Sequence, residues 1–187
     1  GYQSLATLIL IWGIFAIGFD LLLGYTGLLS FGHAAFWGGA AYASGIVAKN
    51  ISGDPIVMVL SGTLFAVLLA WLLGFLSLRR GGIYFSILTL AFAQMMYFMA
   101  ASPLAFLTNG ENGLTGVDVG NLFGVLHLEA DIPSVGGLLL GRWLSACVGV
   151  FFVGAVAVAY RILNSPYGMV FRAIRENEQR AEFVGLN

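Results

Sequence analysis

Charge is scarce in this chain, and so are the residues that build catalytic and metal sites. Of 187 residues only 9% are Asp, Glu, Lys or Arg, with two histidines, one cysteine and four prolines. A water-soluble domain carries about a quarter of its residues as charged side chains. This one is 59% hydrophobic with a mean hydropathy of +0.93, so a soluble globular reading is set aside. Cys147 stands alone and excludes an internal disulfide. A net charge of -1 and a pI of about 6.1 exclude a broadly basic surface, so no nucleic-acid partner is expected. The chain has no Gly-rich phosphate loop followed by Lys and Ser or Thr, no Ser/His/Asp arrangement in its apolar runs and no metal-ligand spacing. No catalytic residue, cofactor or metal is expected.

What is present is apolar sequence in long uncharged runs. Residues 21–48, 55–78, 81–110 and 143–160 contain no charged side chain, and about 20 apolar residues suffice to cross a bilayer as a helix. The alternation of a β-barrel strand is absent from them. The fold class is therefore an all-α polytopic membrane protein in contact with lipid. Five spans are drawn, at about Leu5–Leu23, Ala34–Ala48, Ile56–Leu78, Ile83–Ala101 and Trp143–Leu163, the second being short for a full crossing. If all five cross, Arg79, Arg80, Arg161, Arg172, Arg175 and Arg180 share one side, six of the eight basic residues. By the excess of Lys and Arg in cytoplasmic loops, that side is the cytoplasm. The connection of about 102–141 is then extracytoplasmic, and its length argues for a folded or functional element. Residues 1–163 are read as the membrane part of one domain and 164–187 as a cytoplasmic segment. Neither end carries a terminal signal, and both are read as internal to a longer chain.

The polar residues among these runs support more than one reading. Ala35, Gly39 and Ala43 form a small-residue row on span two, with Gly38 and Tyr42 beside it. Such rows bring helices close, and they also line narrow paths. Asp20 is the one carboxylate inside a span, and a charge at the bilayer centre costs about 3 kcal/mol. It fits an interfacial anchor or interhelical hydrogen bond better than a place on a path. Between spans one and two, Gly24-Tyr25-Thr26-Gly27 breaks the helix, Ser30 is placed to cap the next one, and His33 falls in its first turn. This stretch is either an interfacial turn or a broken helix lining a polar cavity. Ser86, Thr89, Ala93 and Tyr97 form a stripe on span four, with Gln94 beside it, for interhelical bonding or for a path wall. Translocation-path candidates are thus Gly24, Tyr25, Thr26, Gly27, Ser30, His33 and Gln94. Glu111-Asn112-Gly113 and Thr115-Gly116 read as turn chemistry.

After span five, Ser165 is placed as an N-cap with Pro166 at the first helical position, and Val170, Phe171, Ile174, Ala181 and Val184 follow at helical spacing to a stop at Gly185. Seven of the seventeen charges fall in residues 161–187, so this helix lies on lipid or docks on another protein.

Taken together, these residues resemble the permease subunits of branched-chain amino acid ABC transporters, of the second of the two permease types. The resemblance covers essentially the whole chain. It rests on the run from Gly24 to Phe36 followed by Gly39-Ala40-Ala41-Tyr42, on the run from Gly82 to Gln94, and on Asn112-Gly113-Leu114-Thr115-Gly116. The tail from Ser165 through Glu178 to Gly185 resembles the family's cytoplasmic coupling segment. The general importer pattern of an acidic residue and two alanines before the glycine is kept only at Ala181 and Gly185, with Glu178 one place early. The resemblance implies ATPase coupling through Ser165, Pro166, Gly168, Arg172, Arg175, Glu176, Glu178, Ala181 and Gly185. It also implies a multi-pass subunit of the cell (inner) membrane that imports branched-chain amino acids without chemistry of its own. Its partners would be a second permease subunit, two cytoplasmic ATPases and an extracytoplasmic substrate-binding protein. A permease for urea, short amides or other small solutes is the alternative in the same superfamily. An ATP-independent channel or carrier would want more intramembrane charge than Asp20 provides, and a membrane enzyme lacks its residues.

Overall fold

A computed structural model describes residues 2–78, 82–117, 120–121 and 143–177. Every regular element among them is helical. They are α1 (Tyr2–Asp20, continuing as a π-helical turn over Leu21–Tyr25), α2 (His33–Asn50), α3 (Pro55–Ser77), α4 (Ile83–Ala101), the short α5 (Ala105–Thr108), α6 (Trp143–Leu163) and α7 (Pro166–Glu176). The chain forms two compact units, one of residues 1–28 and 128–187, the other of residues 29–127.

In the first unit α1 packs along α6. The Thr7 and Ser145 hydroxyls pair at 2.8 Å, and a Cβ on Gly13 would lie 2.7 Å from the Phe152 ring. Both contacts advance in the same direction along the two helices, so α1 and α6 run parallel. Among the described residues Ser4–Tyr25, Pro55–Ser77, Ile83–Ala101 and Trp143–Leu163 are long and apolar enough to cross a membrane. The fifth expected span, α2, is 18 residues or about 27 Å long. The protein is a multi-pass membrane protein.

The second unit is a hairpin of α2 and α3 with α4 against it. Asp54 caps α3 by accepting from the Ile56 amide at 3.0 Å, with Pro55 at the first helical position. A Cβ on Gly62 of α3 would lie 3.1 Å from the Ala40 carbonyl of α2, and one on Gly39 2.9 Å from the Phe65 ring. The small-residue row therefore does bring α2 and α3 together, as such rows do in lipid, where apolar burial gives helices no reason to associate. The outer faces stay apolar and open: Leu60, Leu64, Val67 and Trp71 of α3 are exposed, as lipid-facing side chains are.

The long connection after α4 is folded over its described part. The buried Thr108 hydroxyl donates to the Ala100 carbonyl at 2.6 Å and accepts from the Gly110 amide at 3.3 Å. Gly113 and Gly116 take positive φ, which accords with the turn chemistry expected there. A Cβ on Gly45 of α2 would lie 2.6 Å from Leu114, and the Gly120 amide donates to the Gly53 carbonyl at 2.8 Å. The connection thus packs back onto α2 and the turn that follows it. Residues 122–142 lie outside the described residues, as do Arg79 and Arg80.

Two local expectations are corrected. The expected break at Gly24 is instead a widening: α1 becomes π-helical at Leu21 and stops after Tyr25. Ser165 holds the expected N-cap position of α7 before Pro166 but makes no side-chain capping bond, and Ser30 lies two residues before Gly32, the N-cap of α2. The Ser165 hydroxyl donates backward to the Ile162 carbonyl at 2.6 Å, and that of Ser30 accepts from Gly32, the residue before α2, at 3.3 Å. Local bonds of both kinds compete with capping for the hydroxyl.

Candidate functional site

Two sites emerge, one in each unit. The first joins the turn after α1 to α7. The Thr26 hydroxyl donates to the Leu22 carbonyl, the Leu28 amide donates to the same carbonyl at 3.2 Å, and Gly27 takes φ +74°. This is a glycine-terminated helix stop widened by the π turn. The Asp20 carboxylate lies beside Gly24, with its Cγ 3.1 Å from where a Cβ on that residue would be. Onto this turn α7 brings two arginines. Arg175 Nη1 donates to the Gly24 carbonyl, and the Arg172 guanidinium carbon is 5.7 Å from the centroid of the Tyr25 ring. The latter is a cation–π contact, which at exposed positions is worth about 0.5–1 kcal/mol. A Cβ on Gly27 would lie 3.0 Å from Arg175 Cγ, so the turn offers bare backbone to the arginine stem.

The helix α7 leaves α6 through a turn closed at Gly168, whose absent Cβ would coincide with the Leu163 backbone. Along α7, Val170, Phe171, Ala173 and Ile174 are half-buried, while Tyr167 and Met169 are 71% and 69% exposed. Asn177 is extended, so α7 ends well before Gly185, the stop expected from sequence. Glu178, Ala181 and Gly185 lie outside the described residues.

The second site is a cavity of about 560 Å³ in the other unit, walled by Ala35, Gly38, Tyr42 and Ala43 of α2, by Phe65 of α3 and by Ala93, Gln94 and Tyr97 of α4. Thr108 and Glu111 of the connection after α4 also line it. It is an apolar chamber with a few polar groups at its margin, the usual character of a small-molecule site. The small-residue row therefore serves both readings, packing on α3 and lining the cavity.

Of the path candidates, only Gln94 reaches this cavity. Gly24, Tyr25 and Gly27 are engaged by α7, and the Thr26 hydroxyl donates back to the Leu22 carbonyl. Ser30, 2% exposed, belongs to a knot of buried hydroxyls. His33 opens α2 with its ring edge-on to Phe36, centroids 6.1 Å apart. The stripe on α4 divides in two. Its upper part, Ala93, Gln94 and Tyr97, walls the cavity. Its lower part holds the loop before α2: Ser86 Oγ donates to the Leu29 carbonyl at 2.6 Å, and Thr89 Oγ1 accepts from the Phe31 amide at 3.2 Å while donating to the Ser86 carbonyl at 2.9 Å. Replacing Ser86 by Val leaves the Leu29 carbonyl without its donor. A thermal unfolding midpoint in detergent is expected to fall, reflecting about 1–3 kcal/mol, whereas Ser86→Thr keeps the hydroxyl and most of the stability. Sequence reasoning missed Phe65, Met96 and Thr108 in the cavity wall, because aromatic, sulfur and hydroxyl side chains on apolar helices carry no individual signal. Among the described residues no group of three His, Cys, Asp or Glu could hold a metal ion.

The family model for the branched-chain amino acid transport system permease component matches residues 1–187, the whole of the chain. The chain belongs to this permease family. Among its relatives is the high-affinity branched-chain amino acid transport system permease protein LivM of Escherichia coli, 28% identical over 202 residues, covering all of this chain and 47% of that protein. LivM of Salmonella typhimurium is 27% identical with the same coverage. The probable branched-chain amino acid transport permease protein LivM of Methanocaldococcus jannaschii is 24% identical over 97% of this chain and 60% of its own length. The chain spans about half the length of the bacterial relatives it matches. No solved structure matches it.

Proposed function

We propose that this chain is the membrane-spanning permease part of an ATP-driven importer of branched-chain amino acids, resident in the cell (inner) membrane. The observation that carries the reading is the family match over the entire chain. The end of α1 and α6 that bears α7 is the cytoplasmic one, by the excess of arginine there. Residues 1–163 form the membrane part, and 164–187 the segment facing two cytoplasmic ATPases. On it, the exposed Tyr167 and Met169 offer an apolar contact beside Ser165, Pro166, Gly168 and Glu176, and Glu178, Ala181 and Gly185 extend the same segment. A second permease subunit and an extracytoplasmic substrate-binding protein complete the assembly, and ATP is hydrolysed on the ATPases alone. The apolar cavity accepts an aliphatic side chain in transit, with Gln94 offering an amide to its polar end.

Uptake of labelled leucine in a strain lacking the gene is expected to return when the full-length protein is supplied with its partners. Excess unlabelled isoleucine or valine should suppress it, and excess urea should not. Suppression by urea, or no restored uptake, would contradict the reading.

A further inference from the structure

The short segment between α1 and α2 is held at both of its ends, and each grip lies within a different compact unit. On the α1 side, Arg175 Nη1 donates to the Gly24 carbonyl, the Arg172 guanidinium lies 5.7 Å from the Tyr25 ring centroid, and Gly27 packs against the Arg175 stem. On the α2 side, Ser86 Oγ donates to the Leu29 carbonyl at 2.6 Å and Thr89 Oγ1 accepts from the Phe31 amide at 3.2 Å. The chain passes from one unit to the other between Leu28 and Leu29, so a single residue, Leu28, separates the last contact of α7, at Gly27, from the first contact of α4, at Leu29. Two peptide units cannot take up a displacement of several ångströms by stretching, because consecutive Cα atoms are fixed about 3.8 Å apart. The segment is therefore a short link with little slack. Its far end continues directly into the first turn of α2, where Ala34 and Ala35 line the cavity, and the helix that clamps it, α4, carries Gln94 and Tyr97 into the same cavity.

We infer that Arg172 and Arg175 are positioning residues that tie α7 to the α1–α2 link, so that displacement of α7 is passed through residues 24–31 to the helices walling the cavity. The inference rests on the reading of the chain as an importer permease. Three groups suit the task. The Gly24 carbonyl is a backbone acceptor and cannot rotate away as a side chain would. The Tyr25 ring gives Arg172 a broad, direction-tolerant contact that survives small sliding. The absence of a side chain at Gly27 lets the arginine stem approach the backbone, at a φ of +74° that other residues adopt at a cost. An arginine suits the Gly24 carbonyl better than a lysine, because its planar fork loses less freedom for each hydrogen bond formed.

The test uses the full-length protein reconstituted with its ATPase, permease and binding-protein partners, measuring ATP hydrolysis and labelled leucine uptake on the same vesicles. The double variant Arg172→Ala/Arg175→Ala is expected to keep ATP hydrolysis within about twofold of the parent while uptake falls about tenfold or more, so that the ratio of leucine moved to ATP consumed collapses. Lys49→Ala, at the exposed end of α2, is the control and keeps the ratio. A pair of ring variants asks the same question without altering charge: Tyr25→Phe retains the face that Arg172 covers and should keep the ratio, whereas Tyr25→Leu removes it and should lower the ratio. Should the double variant fail to accumulate in the membrane, the Tyr25 pair decides. An unchanged ratio, or hydrolysis and uptake falling together in every variant, overturns the inference. Failure of the parent complex to import leucine at all would instead strike the functional reading.

Discussion

Gly168→Val is expected to abolish leucine uptake and to displace α7 from the turn after α1. A Cβ at this position would lie 2.6 Å from the Leu163 carbonyl carbon and 2.8 Å from its Cα, closer still to its oxygen. The obstacle is backbone, so no rotamer change relieves it, and the turn between α6 and α7 must open. Opening it withdraws the Gly168 amide from the Ser165 carbonyl, to which it donates at 3.0 Å, and moves every later residue of α7. Arg172 and Arg175 then lose Tyr25 and Gly24 together. Overpacking against rigid structure costs about 1–3 kcal/mol where neighbours can adjust, and here they cannot. Gly168→Ala already places the offending atom and should show most of the effect. Limited proteolysis of the 164–177 segment, faster in the variant than in the parent, is the structural readout, and uptake is the functional one. Parental uptake by Gly168→Val would show that the close turn is dispensable.

Gly38→Phe is expected to leave the protein folded and to block transport. Gly38 lines the cavity, and a Cβ there would meet nothing within 4 Å, so a large side chain enters empty space. Neighbouring Gly39 provides the contrast. Its Cβ would lie 2.9 Å from the Phe65 ring, so Gly39→Phe must drive α2 and α3 apart and should lower the amount of folded chain in the membrane. Leucine uptake by Gly38→Phe should fall about tenfold or more, equivalent to roughly 1.4 kcal/mol or more on the transport barrier, at normal membrane abundance. Unimpaired uptake with the cavity filled would remove it from the substrate's route.

The spans were legible because their signal is cumulative: a run such as Ile56–Leu78 announces a crossing through every residue in it. The α2 span was less so, since Gly38, Gly39 and its many alanines dilute its hydropathy. The parallel course of α1 and α6, fixed by Thr7 with Ser145 and Gly13 with Phe152, had no local signal at all. The α7 segment was legible in its start, from Ser165 and Pro166, and misjudged in its end. Val184 keeps helical spacing with Ile174, yet Asn177 is extended between them. The site residues divided along the same line. Gln94 could be singled out because an amide on an apolar helix is conspicuous. That Gly24 and Tyr25 face arginines some 150 residues later depends on how α6 returns alongside α1, and no local pattern encodes a pairing at that separation.

The same parallel pairing sets a condition on how the protein is made. The Thr7 and Ser145 hydroxyls are 138 residues apart in sequence, and ribosomes add about 5–20 residues per second, so α1 resides in the bilayer on the order of ten seconds before α6 exists to meet it. The hairpin of α2 and α3 has no such delay, because its partners emerge consecutively. During that wait the affinity of α1 for lipid helps hold it in place, and its span has a mean hydropathy of 2.2 with which to do so. The hydroxyl at Thr7 near one end and the carboxylate of Asp20 near the other keep polar groups out of its middle.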